Sequence, residues 1–128
     1  MIGYVTIGTN DLDKAAVFYD ALFETIGAQR ILQNEQFIAW STGADQPGIS
    51  VTKPFDGKAA KVGNGNMIAI PLDTQEKVNA FHKKAIELGA TDEGSPGPRG
   101  DMTGFYAGYF RDLDGNKLNA FYFARPSM

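Results

Sequence analysis

The sequence predicts an α+β fold made of two tandem βαβββ modules, and two observations predict it. One is an internal repeat: "DKAAVFYDALFETIGA" and "EKVNAFHKKAIELGA" are two versions of a single segment. Lys77 follows Lys14, and Phe81 follows Phe18, at one spacing of 63 (77 − 14 and 81 − 18). The other is the context of each copy, which has one β-rich run before it and about three strand candidates after it.

The first strand is "IGYVTIGT", where aliphatic Val5 and Ile7 alternate with Tyr4 and Thr6. Its aliphatic set is expected to pack on a helix. That helix carries the stripe Leu12, Ala15, Tyr19, Leu22 and Ile26, with Asn10 as N-cap, Asp13 three residues on in capping-box position, and Gly27 as its stop. Gly89-Ala90 follows Gly27-Ala28 at 62 rather than 63, so the first helix is expected to be one residue longer than the second. Three strands follow: "QRILQN", "QFIAWST" and "GISVTKP".

"KPFDGKAAKVGNGN" then joins the copies as a Gly- and Lys-rich linker. "NMIAIPLD" opens the second module, with Ile68, Ile70 and Leu72 on the helix side and Met67, Ala69 and Pro71 opposite. The second helix has the stripe Val78, Phe81, Ala85 and Leu88, the cap Asp73 with Glu76 beyond it, and the stop Gly89. "TDEGSP", a weak strand candidate, precedes "FYAGYFR" and "KLNAFYF". The loop "EGSPGPRGDMTG" is too rich in Gly and Pro for regular structure and is expected to flank the working face. "LDG" marks the last hairpin turn, where Gly115 supplies a positive φ. The chain is thus expected to be one domain, 1–128, with modules 1–58 and 63–126 whose sheets form a concave cleft.

The 128 residues suffice for a real core, and 43% apolar with 21% charged residues is an ordinary globular composition. A net charge of −3 gives no reason to expect nucleic acid. No cysteine is present, which excludes disulfides, thiolate metal sites and cysteine nucleophiles. The N-terminus lacks the basic-then-apolar pattern of a secretory signal, and no apolar run is long enough to span a bilayer, so a cytoplasmic protein without membrane partners is expected. His82 is the only imidazole, which removes most zinc sites.

These paired modules, the "NDLDKAAVFYDAL" first helix and "FRDLDGNKL" before the final strand resemble the vicinal oxygen chelate superfamily. That superfamily includes glyoxalase I, extradiol dioxygenases, fosfomycin-resistance enzymes and bleomycin-binding proteins, and the resemblance covers nearly the whole chain. It implies a glyoxalase-like fold in which the first, fourth, fifth and eighth strands each offer one metal ligand, usually His, Gln or Glu. Carried over by position, those places fall on Tyr4, Ser50, Met67 and Asn119. Uncharged amide and hydroxyl oxygens with one thioether do not offset the dehydration of a divalent ion, so no metal and no other cofactor are expected.

Other residues admit two readings. Tyr4 is either a proton or hydrogen-bond donor in a cavity, and so the one candidate catalytic residue, or a core tyrosine with a satisfied hydroxyl. Arg99 either closes over an anionic ligand or is a solvated loop residue. Trp40, Tyr106, Tyr109, Phe121 and Phe123 either line a pocket or fill space, with Phe121 and Phe123 sharing the face of Asn119. His82 is expected to be a solvated or boundary residue. Asp112 and Asp114 are expected to be structural, since Gly115 comes too early for a calcium loop. "VGNGN" lacks the helix that a phosphate site needs, and "RGD" at Arg99 to Asp101 is a chance match.

The leading expectation is a metal-free member of this superfamily, a homodimer, binding a small organic molecule through Tyr4, Ser50, Met67, Asn119, Phe121, Arg99, Trp40 and Tyr106. One alternative is a metal-dependent lyase or dioxygenase of the glyoxalase I type, which family membership alone motivates. Another is a dimeric interaction module with no small ligand.

Overall fold

The computed structural model describes residues 1–100 and 104–124. It contains two compact units, one ending at Asn64 and one beginning at Gly65. In the first, β1 (Tyr4–Gly8) leads to α1 (Leu12–Glu24) and then to β2 (Gln29–Gln33), β3 (Phe37–Ser41) and β4 (Gly48–Thr52). In the second, β5 (Ile68–Pro71) leads to α2 (Gln75–Glu87), β6 (Thr91–Pro98), β7 (Phe105–Arg111) and β8 (Lys117–Phe123). The sheet orders are β1-β4-β3-β2 and β5-β8-β7-β6, so each unit repeats the other's topology. The parallel pairs β1/β4 and β5/β8 are crossed over by the helix, and the remaining pairs are antiparallel.

The helix stripes form the two cores. Leu12, Ala15, Phe18, Tyr19, Leu22 and Phe23 are buried on α1, and Val78, Phe81, His82 and Ala85 on α2. Each cap sits one residue later than expected. Asp11 accepts from the Lys14 amide and Thr74 from the Lys77 amide, both at 3.1 Å. The N3 residues are therefore lysines, and neither helix has a capping box. Asn10 instead fixes the linker, its Oδ1 accepting from the Ala60 amide at 2.7 Å, and Asp73 pairs with Lys77.

Both helices have 13 residues, so the expected difference in length is corrected. The extra residue lies in the turn after α1, where Thr25 and Ile26 precede Gly27, against Leu88 alone before Gly89. Both glycines have positive φ, 78° and 106°.

The weak strand candidate is in fact the longest strand. β6 extends through Pro98 and pairs with β7 despite register shifts between Asp92 and Gly94 and between Gly94 and Gly97. Half of the expected irregular loop is thus strand, and Arg99 extends the pairing by donating its amide to the Phe105 carbonyl at 3.0 Å. Asp101, the third residue of "RGD", lies outside the described residues. At the last hairpin, Asp112 Oδ1 accepts from the Asp114 and Asn116 amides, each at 2.9 Å, and Gly115 has φ 90°. The carboxylate is consumed by the turn, as expected of a structural residue.

Candidate functional site

Each sheet has one face against its helix and one without. In the first sheet, alternation puts Val5, Ile38, Trp40 and Val51 toward α1 and leaves Tyr4, Thr6, Ala39 and Ser50 opposite. Trp40 is buried with its ring 5.7 Å from both Tyr19 and Phe23, and its indole N–H donates to Asp20 Oδ1 at 2.9 Å. Arg30 binds the same carboxylate through Nε at 2.9 Å and Nη2 at 2.6 Å. The Arg30 hydrogen bond chiefly holds Asp20 below the usual carboxylate range; partial burial opposes it and Trp40 assists.

In the second sheet the helix-free face follows β8 as Lys117, Asn119, Phe121 and Phe123. Asn119 is flanked by Ala69 of β5 and Tyr109 of β7. Its residue exposure is 2%, and its Oδ1 is buried with no hydrogen-bond partner. Two cations approach the neighbouring ring, with Arg99 Cζ and Lys117 Nζ each 5.4 Å from the Tyr109 centroid. Arg99 Nη2 also donates to the Ser95 carbonyl, while Arg99 Nε is buried without a partner. At the other end, Phe105 lies 5.7 Å from Phe121 and 5.6 Å from Phe123.

The register shows how the expected positions correspond. Tyr4 pairs with Gly48, and Ser50 lies two residues further along β4. Met67 immediately precedes Ile68, whose partner is Leu118, next to Asn119. Ser50 is thus the first-module counterpart of Asn119, as Tyr4 is of Met67. Within its own unit, each pair shares a helix-free face.

Three expectations are corrected. Tyr4 is not a buried phenol; it is 70% exposed, because it begins an edge strand. Trp40 and Tyr106 are on helix sides. Trp40 shares the alternation of Ile38, and the Tyr106 hydroxyl donates to Asn79 Oδ1 of α2 at 2.6 Å. His82 is buried, since 78, 81, 82 and 85 form one helical stripe. Its Nε2 lies 3.1 Å from both Asp92 Oδ1 and the Tyr109 carbonyl; two acceptors there require a proton on Nε2. Lys117 was missed by sequence reasoning, although its alternation with Asn119 and Phe121 is legible.

The four places carried over from the metal-using relatives do not fit a divalent ion. Asn119 offers one neutral amide oxygen, Ser50 a hydroxyl, Tyr4 a phenol and Met67 a thioether, and none is a carboxylate or imidazole. Among the described residues, no three His, Cys, Asp or Glu side chains cluster as metal ligands would. No helix among them is long and apolar enough to cross a membrane.

The comparisons with known proteins agree with this architecture. Residues 1–120 match the family model of the glyoxalase/bleomycin resistance protein/dioxygenase superfamily. No curated protein matches the chain. Among solved structures, a glyoxalase/bleomycin resistance protein from Albidiferax ferrireducens T118 is 34% identical. The match covers 98% of this chain and 99% of that one, with a TM-score of 0.86. A family enzyme from Burkholderia phytofirmans PsJN is 22% identical over 94% and 97%, with a TM-score of 0.76. A lactoylglutathione lyase from Agrobacterium tumefaciens is 20% identical over 95% and 92%, with a TM-score of 0.69. These last two likenesses show the fold alone. With its repeated βαβββ topology and a family match over nearly all of its length, the chain belongs to the glyoxalase/bleomycin resistance protein/dioxygenase superfamily.

Proposed function

We propose that this protein binds a small organic molecule on the helix-free face of its second sheet, without a metal ion, and that Asn119 is the polar anchor. One observation carries the reading. Asn119 Oδ1 is buried and unpartnered, and leaving such an acceptor unsatisfied costs about 1–3 kcal/mol. A ligand N–H or O–H would satisfy it. Half-buried Phe121, with Met67 just before β5, supplies apolar surface beside it, and Arg99 supplies charge. In the first sheet, Tyr4 and Ser50 hold the equivalent rows and are proposed as hydrogen-bonding positions of that sheet's own helix-free face. The reading is binding rather than a named reaction.

A thermal-shift screen of a chemically broad library against the wild type and Asn119→Leu tests this. Leucine has similar volume and removes the unsatisfied oxygen, so the apo variant should be more stable than the wild type, by up to about 1–3 kcal/mol. Library compounds that raise the wild-type melting temperature should not raise that of the variant. Hits that stabilise both equally would overturn Asn119 as the anchor.

A further inference from the structure

We propose that the ligand of this face is an organic carboxylate with a hydrogen-bond donor and an aromatic end, in that order along β8. This rests on the reading of Asn119 as an anchor and goes on to name the chemical class.

The face is graded. Lys117 and Arg99 flank Tyr109 at one end, Asn119 lies in the middle, and Phe121, Phe105 and Phe123 cluster at the other. The two cationic groups reach the Tyr109 ring, which belongs to the cross-strand partner of Asn119. Phe121 lies about 7 Å beyond Asn119 on the same face, so the stretch from the charges to Phe121 suits a molecule of a dozen or so heavy atoms. Arg111 pairs with Glu93 at 2.7 Å. Among the described residues, no carboxylate lies within 4.0 Å of Arg99 or Lys117. Both lie against a ring instead, and the buried Arg99 Nε is a donor with nothing to donate to.

That arrangement calls for an anion. A chain with a net charge of −3 places on one small surface two cations that have no carboxylate partner among the described residues, next to a donor and an acceptor that are both buried and unpartnered. A carboxylate accepts from Arg99 and Lys117, while a neighbouring hydroxyl or amide N–H donates to Asn119 Oδ1. The bulge at Gly94 makes room for this arrangement. A Cβ at that position would lie 3.2 Å from Arg99 Nη2 and 3.4 Å from Tyr109 Cδ1. The Asn119 oxygen is screened from water, so a flexible neighbour must move to admit the ligand.

Three probes separate the contributions: 3-phenyllactate has all three groups, 3-phenyllactamide lacks the charge, and 3-phenylpropanoate lacks the hydroxyl. Titration calorimetry should show 3-phenyllactate binding tightest and weakening as salt rises. Loss of one charge-assisted contact, in the amide or in Arg99→Gln or Lys117→Gln, should weaken binding about tenfold or more. Unliganded melting temperatures and circular dichroism of the two variants verify that they remain folded. Equal binding of acid and amide, or no effect of either substitution, would overturn the anionic class. It would leave Asn119 as anchor if Asn119→Leu still abolished binding. Failure of all three probes, where the broad library yields Asn119-dependent hits, would also reject the class but not the site. Failure of the library as well would remove both.

Discussion

Asp20 shows how one carboxylate can fix two neighbours, and what holds Trp40 on the helix side of its sheet. It accepts from the buried Trp40 indole and from two nitrogens of Arg30. Its pKa is lowered chiefly by Arg30, so its contribution to stability is fully present above the ordinary aspartate value of about 3.9. It is lost as the pH falls through the lowered value. Because the group is partly exposed, its contribution is modest. Asp20→Asn should cost about 1 kcal/mol at pH 7, and less as both proteins approach pH 3. Urea unfolding at the two pH values measures this, and a pH-independent difference would contradict the assignment. The direction of Trp40 was legible, since Ile38 and Trp40 alternate onto the aliphatic side of their strand. The pairing with Asp20 was not, because it joins residues that only tertiary packing brings together. Burial of His82 was legible too, at the i+4 position of the stripe from Val78. The adjacent Lys83 and Lys84 suggested solvent instead.

At the level of elements, both helices were legible because a stripe at helical spacing survives in both copies of the repeat. Their first residues were not. Asn10-Asp11 and Asp73-Thr74 each offer two adjacent capping types, and composition does not choose between them. The sixth strand was obscured by its own chemistry, since Gly and Pro ordinarily interrupt strands. In the structure they have uses. Pro96 packs over Gly108 of β7 on the side of α2, where a Cβ at Gly108 would lie 2.9 Å from Pro96 Cγ and 3.1 Å from His82 Cδ2. Gly108→Ala should therefore cost about 1–3 kcal/mol by forcing apart β6, β7 and α2. Chemical denaturation gives the value, and an unchanged midpoint would show that β6 gives way freely.

For the molecule as a whole, the repeat explains why two half-chains of similar length each build a helix-backed sheet. It also leaves edges. β6 is an edge blunted by prolines and bulges, a common defence against unwanted pairing. In the first sheet the β2 edge carries one irregularity, between Arg30 and Leu32, and no proline. That edge presents Ile31 and Leu32 at 52% and 59% exposure. On the sheet's helix-free face, a Cβ at Gly48 would lie 3.6 Å from both Ile31 Cδ1 and Tyr4 Cβ. Ile31 and Tyr4 thus border one apolar patch with a glycine at its centre. Apolar surface of this kind on a sheet edge is what a second copy of the chain covers in a two-fold dimer. We therefore expect a homodimer, and light scattering at micromolar concentration should report twice the 13.9 kDa of one chain. Ile31→Glu should shift the mass toward one chain, because a charge buried at such an interface lacks a partner. The substitution should leave the fold intact, since Ile31 lies outside the α1 core. A wild-type mass of 13.9 kDa would refute the dimer and leave the patch as ordinary exposed surface.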